Sequence, residues 1–299
     1  MKNWKLGAMV LSMAAIAACG GSESTTGTTS GGTGGSAGTS TGAGGGAQSA
    51  RHGNIDILQT PDPSVGWWAS VVTAEFLDNF HVPPLDSDCT HSTISECSVY
   101  LCNDVGYGDP VHAGRLLVDG LTAANGEVTP VGPLSHDGDM QYWGSIDGGD
   151  HKTFFGGETI TVKATGGQVP PFKFSATAPH LIDLKTPDFS QPIPLNSALD
   201  YPVEWMNGQD GTVVVSFDVP VDAMDGLRAG NVTCSFPASA GKGVIPAAAL
   251  KMLVPTPGFN TSGIIGAWVG SQETVDVGGF SVSLTIRGAV APMQTVEVY

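Results

Sequence analysis

Basic residues are scarce. The chain has 12 Lys and Arg against 28 Asp and Glu, and only 13% of it is charged. That acidic balance argues against nucleic acid and anionic lipid surfaces as partners, because both are gripped through clustered cations. Beyond residue 50 no apolar run approaches the roughly 18–20 residues of a membrane-spanning helix. No C-x₂-C pair occurs, so the usual spacing of a structural zinc site is absent. No EF-hand loop with its closing Glu occurs either. Two catalytic patterns lie at residues 34–38 (G-x-S-x-G) and 42–47 (a dinucleotide fingerprint). Both fall in a Gly-rich tract rather than between a strand and a helix, where the chemistry needs them.

What is abundant is Gly (42 residues) and Pro (20 residues), the balance of turn-rich β structure. Residues 20–50 are almost entirely Gly, Ser, Thr and Ala. Such a segment has too little apolar area to offset its ordering entropy and is expected to be a disordered tether, with an r.m.s. span of roughly 30 Å.

Downstream, period-two alternation predicts half-buried antiparallel strands. Residues 68–76 are rich in Val, Thr and aromatics. Ile160, Val162 and Ala164 share one face, as do Phe172, Phe174 and Ala176. Later, Val213, Val215, Phe217 and Val219 share a face, and so do Phe280, Val282, Leu284 and Ile286. Turn signals separate the runs: Asn125-Gly126, Asp137-Gly138, Asp147-Gly148-Gly149 and Gly166-Gly167. Pro246 precedes a short helical turn at 247–250. Residues 186–195, with three prolines, read as a connector. The fold class expected is all-β: one or two antiparallel β-sandwich domains, a β-rich domain over 51–187 and an immunoglobulin-like sandwich over 188–299. Trp205, followed by a Gly-Gln-Asp-Gly turn and a Val-rich strand, resembles the core-Trp strand pair of immunoglobulin-like and fibronectin-type domains.

Cys89, Cys97, Cys102 and Cys234 form an even set, which in an exported chain favours two disulfides. Face matching favours Cys97–Cys234 with Cys89–Cys102. A hairpin centred near Thr93 would instead pair Cys89 with Cys97 and leave Cys102 for Cys234. Three connectivities are open to the four cysteines, and each ties Cys234 to the first half of the chain.

Two polar loops carry the carboxylates Asp137, Asp139, Asp147 and Asp150, a conceivable Ca²⁺ site through oxygen ligands. Asp and Gly there also make turns on their own account. His136 and His151 lie beside these acids without a nucleophile at a recognisable position. Tyr142 and Trp143 are candidates for an aromatic platform under sugar rings, although Trp in a sandwich is more often core.

The amino-terminal end supplies a location. Lys2 and Lys5 precede an apolar run over residues 6–16, and Ile16-Ala17-Ala18-Cys19 follows. This resembles a bacterial lipobox, with Ile in place of the commoner Leu. The resemblance implies a signal peptide over 1–18 and a diacylglyceryl-modified Cys19 heading a tether over 19–50. Cleavage would remove Lys2 and Lys5, leaving 10 basic residues against 28 acidic, a net charge of −18. Gly20 lacks the Asp that retains lipoproteins at the inner membrane, which points to the outer membrane or cell surface. Together with the cysteine cluster and the stretch from Val232 to Leu250, the chain resembles uncharacterised bacterial surface lipoproteins with a Gly/Ser tether and a β-rich body. The function expected is a non-enzymatic envelope lipoprotein, structural or adhesive, touching polysaccharide or envelope proteins. The alternatives are a carbohydrate- or Ca²⁺-binding module and, more remotely, a hydrolase. No cofactor is expected apart from possible Ca²⁺.

Overall fold

A computed structural model describes residues 50–62, 67–80, 89–102, 108–135, 141–188, 193–219, 229–253, 261–290 and 294–298. Residues 49–299 cluster into one compact unit. Strands β1 (Ala50–Asp62) and β2 (Trp67–Phe80) come first, then β3 (Cys89–Ile94), β4 (Cys97–Cys102) and the short β5 (Asp109–Pro110). β6 (Leu116–Asp119), β7 (Val131–Leu134), β8 (Tyr142–Gly149), β9 (Thr159–Ala164) and β10 (Phe172–Thr177) follow. β11 (Asp183–Thr186), β12 (Ile193–Leu195), β13 (Tyr201–Met206) and β14 (Thr212–Val219) lead to β15 (Ala229–Pro237) and β16 (Lys242–Ile245). The helix α1 (Ala247–Met252) precedes β17 (Thr261–Val277), β18 (Phe280–Ala289) and β19 (Gln294–Val298).

The expected all-β, largely antiparallel sandwich is what forms. A twelve-stranded sheet runs β3-β4-β15-β14-β17-β18-β1-β2-β5, with β8 on β2 and with β12 and β19 attached beside β17. Two smaller sheets, β10-β9-β6-β7 and β11-β13-β16, complete the sandwich. The alternation that predicts the strands also sets the layers. Val213, Val215 and Phe217 in β14, and Phe280, Val282, Leu284 and Ile286 in β18, are buried on one face of the large sheet. Each such side chain contributes about 1.5–3 kcal/mol.

Two hydrophobic cores lie on that face. One joins Ile55, Ile57, Phe76, Val282 and Leu284 to Val118 and Ile160 of the four-stranded sheet. The other joins Val99, Val215, Phe217 and Val269 to Val203 and Trp205 of the three-stranded sheet. Each core draws on both halves of the chain. The β3–β4 hairpin packs with the second core, while Val277 and Phe280 pack with the first. β17 serves both: Ile265, Ala267 and Val269 enter one core and Val277 the other. Its 17 residues make that reach possible. The turn from β17 to β18 is Gly278-Gly279, both at positive φ (59° and 88°), which suits a two-residue hairpin.

Three local expectations change. The connector at 186–195 includes β12, whose Pro194 is tolerated because the strand is three residues long and pairs on one side only, with β19. Asp147, Gly148 and Gly149 are the end of β8 rather than a turn between strands; the turn residue is Asp150. The hairpin turn falls at Ser95-Glu96 instead of near Thr93, with Ser95 at φ 53°. That places Cys89 opposite Cys102 in the backbone register and leaves Cys97 opposite Cys234 on β15. Cys97 and Cys234 form a disulfide, fully buried in the second core.

Trp205 is 3% exposed in the second core, tilted against Phe236 with ring centroids 6.1 Å apart. Its indole N–H donates to the Ala238 carbonyl at 2.6 Å. The disulfide beside it joins neighbouring strands of one sheet, whereas the immunoglobulin hallmark bridges two.

Candidate functional site: the outer face of the large sheet

All the large-sheet residues of the two cores point to one face. The alternate positions form a second face, to which neither core contributes. On β17 this face carries Gly266, Trp268 and Gly270, on β18 Thr285 and Arg287, and on β1 Asp56 and Leu58.

The parallel pairing of β1 with β18 sets Leu58 beside Arg287 and Asp56 beside Thr285. The Arg287 guanidinium reaches back to Asp56 with two prongs. Nε donates to Oδ1 at 2.8 Å, and Nη2 donates to Oδ2. Both side chains are only 13% exposed. Burial pushes the Arg287 guanidinium down to about 10, so it stays charged at neutral pH. Its Cζ lies 5.2 Å from the centroid of the Trp268 ring, a cation–π contact. Gly270 faces Arg287 across the ladder. A Cβ there would already touch Trp268 Cδ1 at 3.7 Å and Arg287 Cγ at 3.6 Å, so glycine keeps the surface beside the indole low.

A second polar group lies on β14 and β15. Register places Asp218 opposite Asn231 and Ser216 opposite Thr233. Asn231 Nδ2 donates to Asp218 Oδ1 and, at 2.9 Å, to Ser216 Oγ. Thr233 Oγ1 donates to Asn231 Oδ1 at 2.7 Å. Desolvation pushes the Asp218 carboxyl up, and hydrogen bonds from Asn231 and Ser216 offset only part of that. Next along the same row, Tyr100 stands opposite Asn231. Its ring stacks on His91 of β3, with centroids 4.4 Å apart and 21° between planes.

The other end of the face carries Trp143 and Trp67, 56% and 49% exposed. Trp143 stands opposite Thr73, Thr73 opposite Asp56, Asp56 opposite Thr285, and Thr285 opposite Gln272. One row of outward side chains therefore crosses five strands.

The residues singled out from sequence separate. Tyr142 and Trp143 are neighbours in β8 and so face opposite ways. Tyr142 is fully buried, edge-on to Phe76 at 5.9 Å. Its hydroxyl accepts from the Ala113 N–H at 2.8 Å and donates to the Gly114 carbonyl at 2.9 Å. Asp147 and Asp150 are exposed, and Asp147 Oδ1 accepts the Gly149 N–H at 2.8 Å. Asp137, Asp139 and His136 lie outside the described residues, as does Cys19. Among the described residues no three His, Cys, Asp or Glu side chains are grouped to hold a metal. His180 Nδ1 and Asp210 Oδ1 pair at 2.7 Å between two exposed loops. Slight burial raises the Asp210 carboxyl, but the hydrogen bonds and charge of His180 outweigh it and hold the group low. A shallow cleft of about 260 Å³, whose apolar wall of Leu181, Ile182, Leu184 and Val290 packs against the second core, is also lined by Trp68, Lys152 and Asp183, with Lys152 Nζ 5.1 Å from the Trp68 ring centroid.

Sequence reasoning passed over Trp268, Arg287, Asp56 and Asp218. Alternation was the available signal for Trp268: it sits between Ala267 and Val269, which point inward.

No protein-family model matches the chain, and no curated protein matches it. Among solved structures it is similar to one described as Dpr11 IG1 bound to DIP-gamma IG+IG2, at 9% identity and a TM-score of 0.14, covering 69% of this chain and 100% of that one. It is similar as well to DIP-gamma IG1+IG2, at 12% identity and a TM-score of 0.14, covering 70% and 100%.

Proposed function

We propose that this chain is a non-enzymatic adhesive module, held at the outer membrane or cell surface of a bacterium by a lipidated Cys19, and that it binds through the outer face of its large sheet. The observation that carries the reading is the placement of Trp67, Trp143, Trp268 and Tyr100 on that one face, away from both cores. Trp67 and Trp143 are half exposed there, while Trp268 and Tyr100 are part-buried; exposed aromatics give up burial energy that a bound partner restores. The tether of Gly, Ser and Thr would let the face sweep out from the membrane.

Two measurements test it. Cys19→Ser should move the protein from the membrane fraction to the soluble fraction; retention in the membrane would remove the anchor. The full chain in detergent should bind saturably to intact bacterial cells. A blocked face, Thr73→Lys with Gln272→Lys, should abolish that binding while leaving the thermal midpoint nearly unchanged. Binding that survives the blocked face would remove the adhesive surface.

A further inference from the structure

We infer that the ligand of the outer face is an uncharged linear polysaccharide, lying across the strands from Trp143 over Trp268 toward Tyr100; this rests on the adhesive reading of that face. Three observations carry it.

The first is spacing. Trp143 and Trp268 are separated by four strand intervals and four residues along the strands, roughly 23 Å. Tyr100 is three intervals beyond Trp268 and about four residues along the strands, roughly 20 Å away. A pyranose unit spans about one strand interval, roughly 5 Å. A chain running obliquely across the strands therefore brings a ring onto an aromatic about every fourth or fifth unit. The second is charge. The cation at the centre of the trail, Arg287, is already neutralised by Asp56 through two hydrogen bonds. A polyanion finds no free cation there, and a polycation meets the guanidinium. The third is hydrogen-bonding sense. Between Trp268 and Tyr100 the donors of Asn231 are both spent on Ser216 and Asp218. Asp218 and Asn231 keep acceptor lone pairs. Such a surface takes hydroxyl donors, which a polysaccharide supplies along its length. Thr73, Thr285, Ser216 and Thr233 add hydroxyls between the aromatics, beside Leu58, Val71 and Val214.

The test is affinity electrophoresis and calorimetry of the full chain in detergent against mannan, xyloglucan and laminarin as neutral polymers and alginate as an acidic one. Saturable binding to at least one neutral polymer is expected, little changed by added salt. Trp268→Ala and Trp143→Ala should each weaken it at least about tenfold. Trp268→Phe, which keeps a ring, should weaken it less and shows whether loss in the alanine variant is a folding defect. Binding to alginate alone, abolished by salt, overturns the inference. So does neutral-polymer binding that survives Trp143→Ala, Trp268→Ala and Tyr100→Ala together. If no polymer binds while intact cells still do, and the blocked face abolishes the cell binding, the polysaccharide is wrong and the adhesive face stands. If the blocked face changes nothing, both fall.

Discussion

Asp56 and Arg287 lie 231 residues apart in the chain and meet as a two-pronged ion pair on the outer face of the large sheet. The pair ties the first strand to β18, with Thr73 and Thr285 flanking Asp56 and Leu58 and Gly270 flanking Arg287, and has little access to water.

Removing one partner leaves the other poorly solvated. Asp56→Ala is expected to cost about 3 kcal/mol, or roughly 6–12 °C of thermal midpoint in a body of this size. The double variant Asp56→Leu/Arg287→Met should recover most of that loss. Denaturant titration of the three proteins checks the pattern; a double variant as unstable as the single would show that the charges themselves, not their mismatch, hold β1 on β18.

The Cys97–Cys234 bridge spans 137 residues and joins the β3–β4 hairpin to β15. In the chain-entropy account a loop of that length contributes about 4–5 kcal/mol. Cys97→Ala/Cys234→Ala should therefore lower the denaturation midpoint by a corresponding amount. The same measurement under reducing conditions should bring the wild type to the level of the variant.

Tyr142 and Trp143 should part in their effects. Tyr142→Phe strips a hydrogen bond from the Ala113 N–H and the Gly114 carbonyl beside the core, at about 1–3 kcal/mol, and should leave ligand binding alone. Trp143→Ala should change stability by less than about 0.5 kcal/mol and should weaken binding. Thermal melts and a binding isotherm on the two variants separate the roles.

Asp218 gives a pH signature. Its folded value is raised by desolvation. A raised acid contributes stability that is full below the unfolded value, near 4, and is lost as the pH climbs through the folded value. Asp218→Asn should therefore be at least as stable as wild type at neutral pH and lose that advantage at about pH 3. It should also bind polysaccharide more weakly, having given up a carboxylate acceptor. A wild type that gains on the variant as the pH rises would reverse the sign and refute the assignment.

Much of the layering was legible in the sequence. Val213, Val215 and Phe217, or Phe280 through Ile286, announce a buried face because a strand repeats every two residues. The same rule separates Trp143 from Tyr142 and marks Trp268 as outward. What no local pattern announces is which strands are neighbours. Asp56 and Arg287 look like isolated surface charges until the parallel pairing of β1 with β18 brings them together. Asn231 and Asp218 likewise become one network only through the β14–β15 register. The Asp56–Arg287 half of the site is assembled by sheet order, which rests on contacts between segments 231 residues apart, whereas the Asn231–Asp218 half needs only the register of two consecutive strands, 13 residues apart. The hairpin turn shows how finely such contacts are set. A shift of about two residues, from Thr93 to Ser95-Glu96, decides that Cys97 faces Cys234 rather than Cys89.

β1 has one further consequence, mechanical in kind. It lies inside the sheet, bonded to β18 over nine register pairs and to β2 over twelve. A load applied at residue 50 acts along the strand, so both ladders are sheared as a whole instead of being peeled one bond at a time. The point at which a membrane tether would pull thus enters the body on a strand held from both sides.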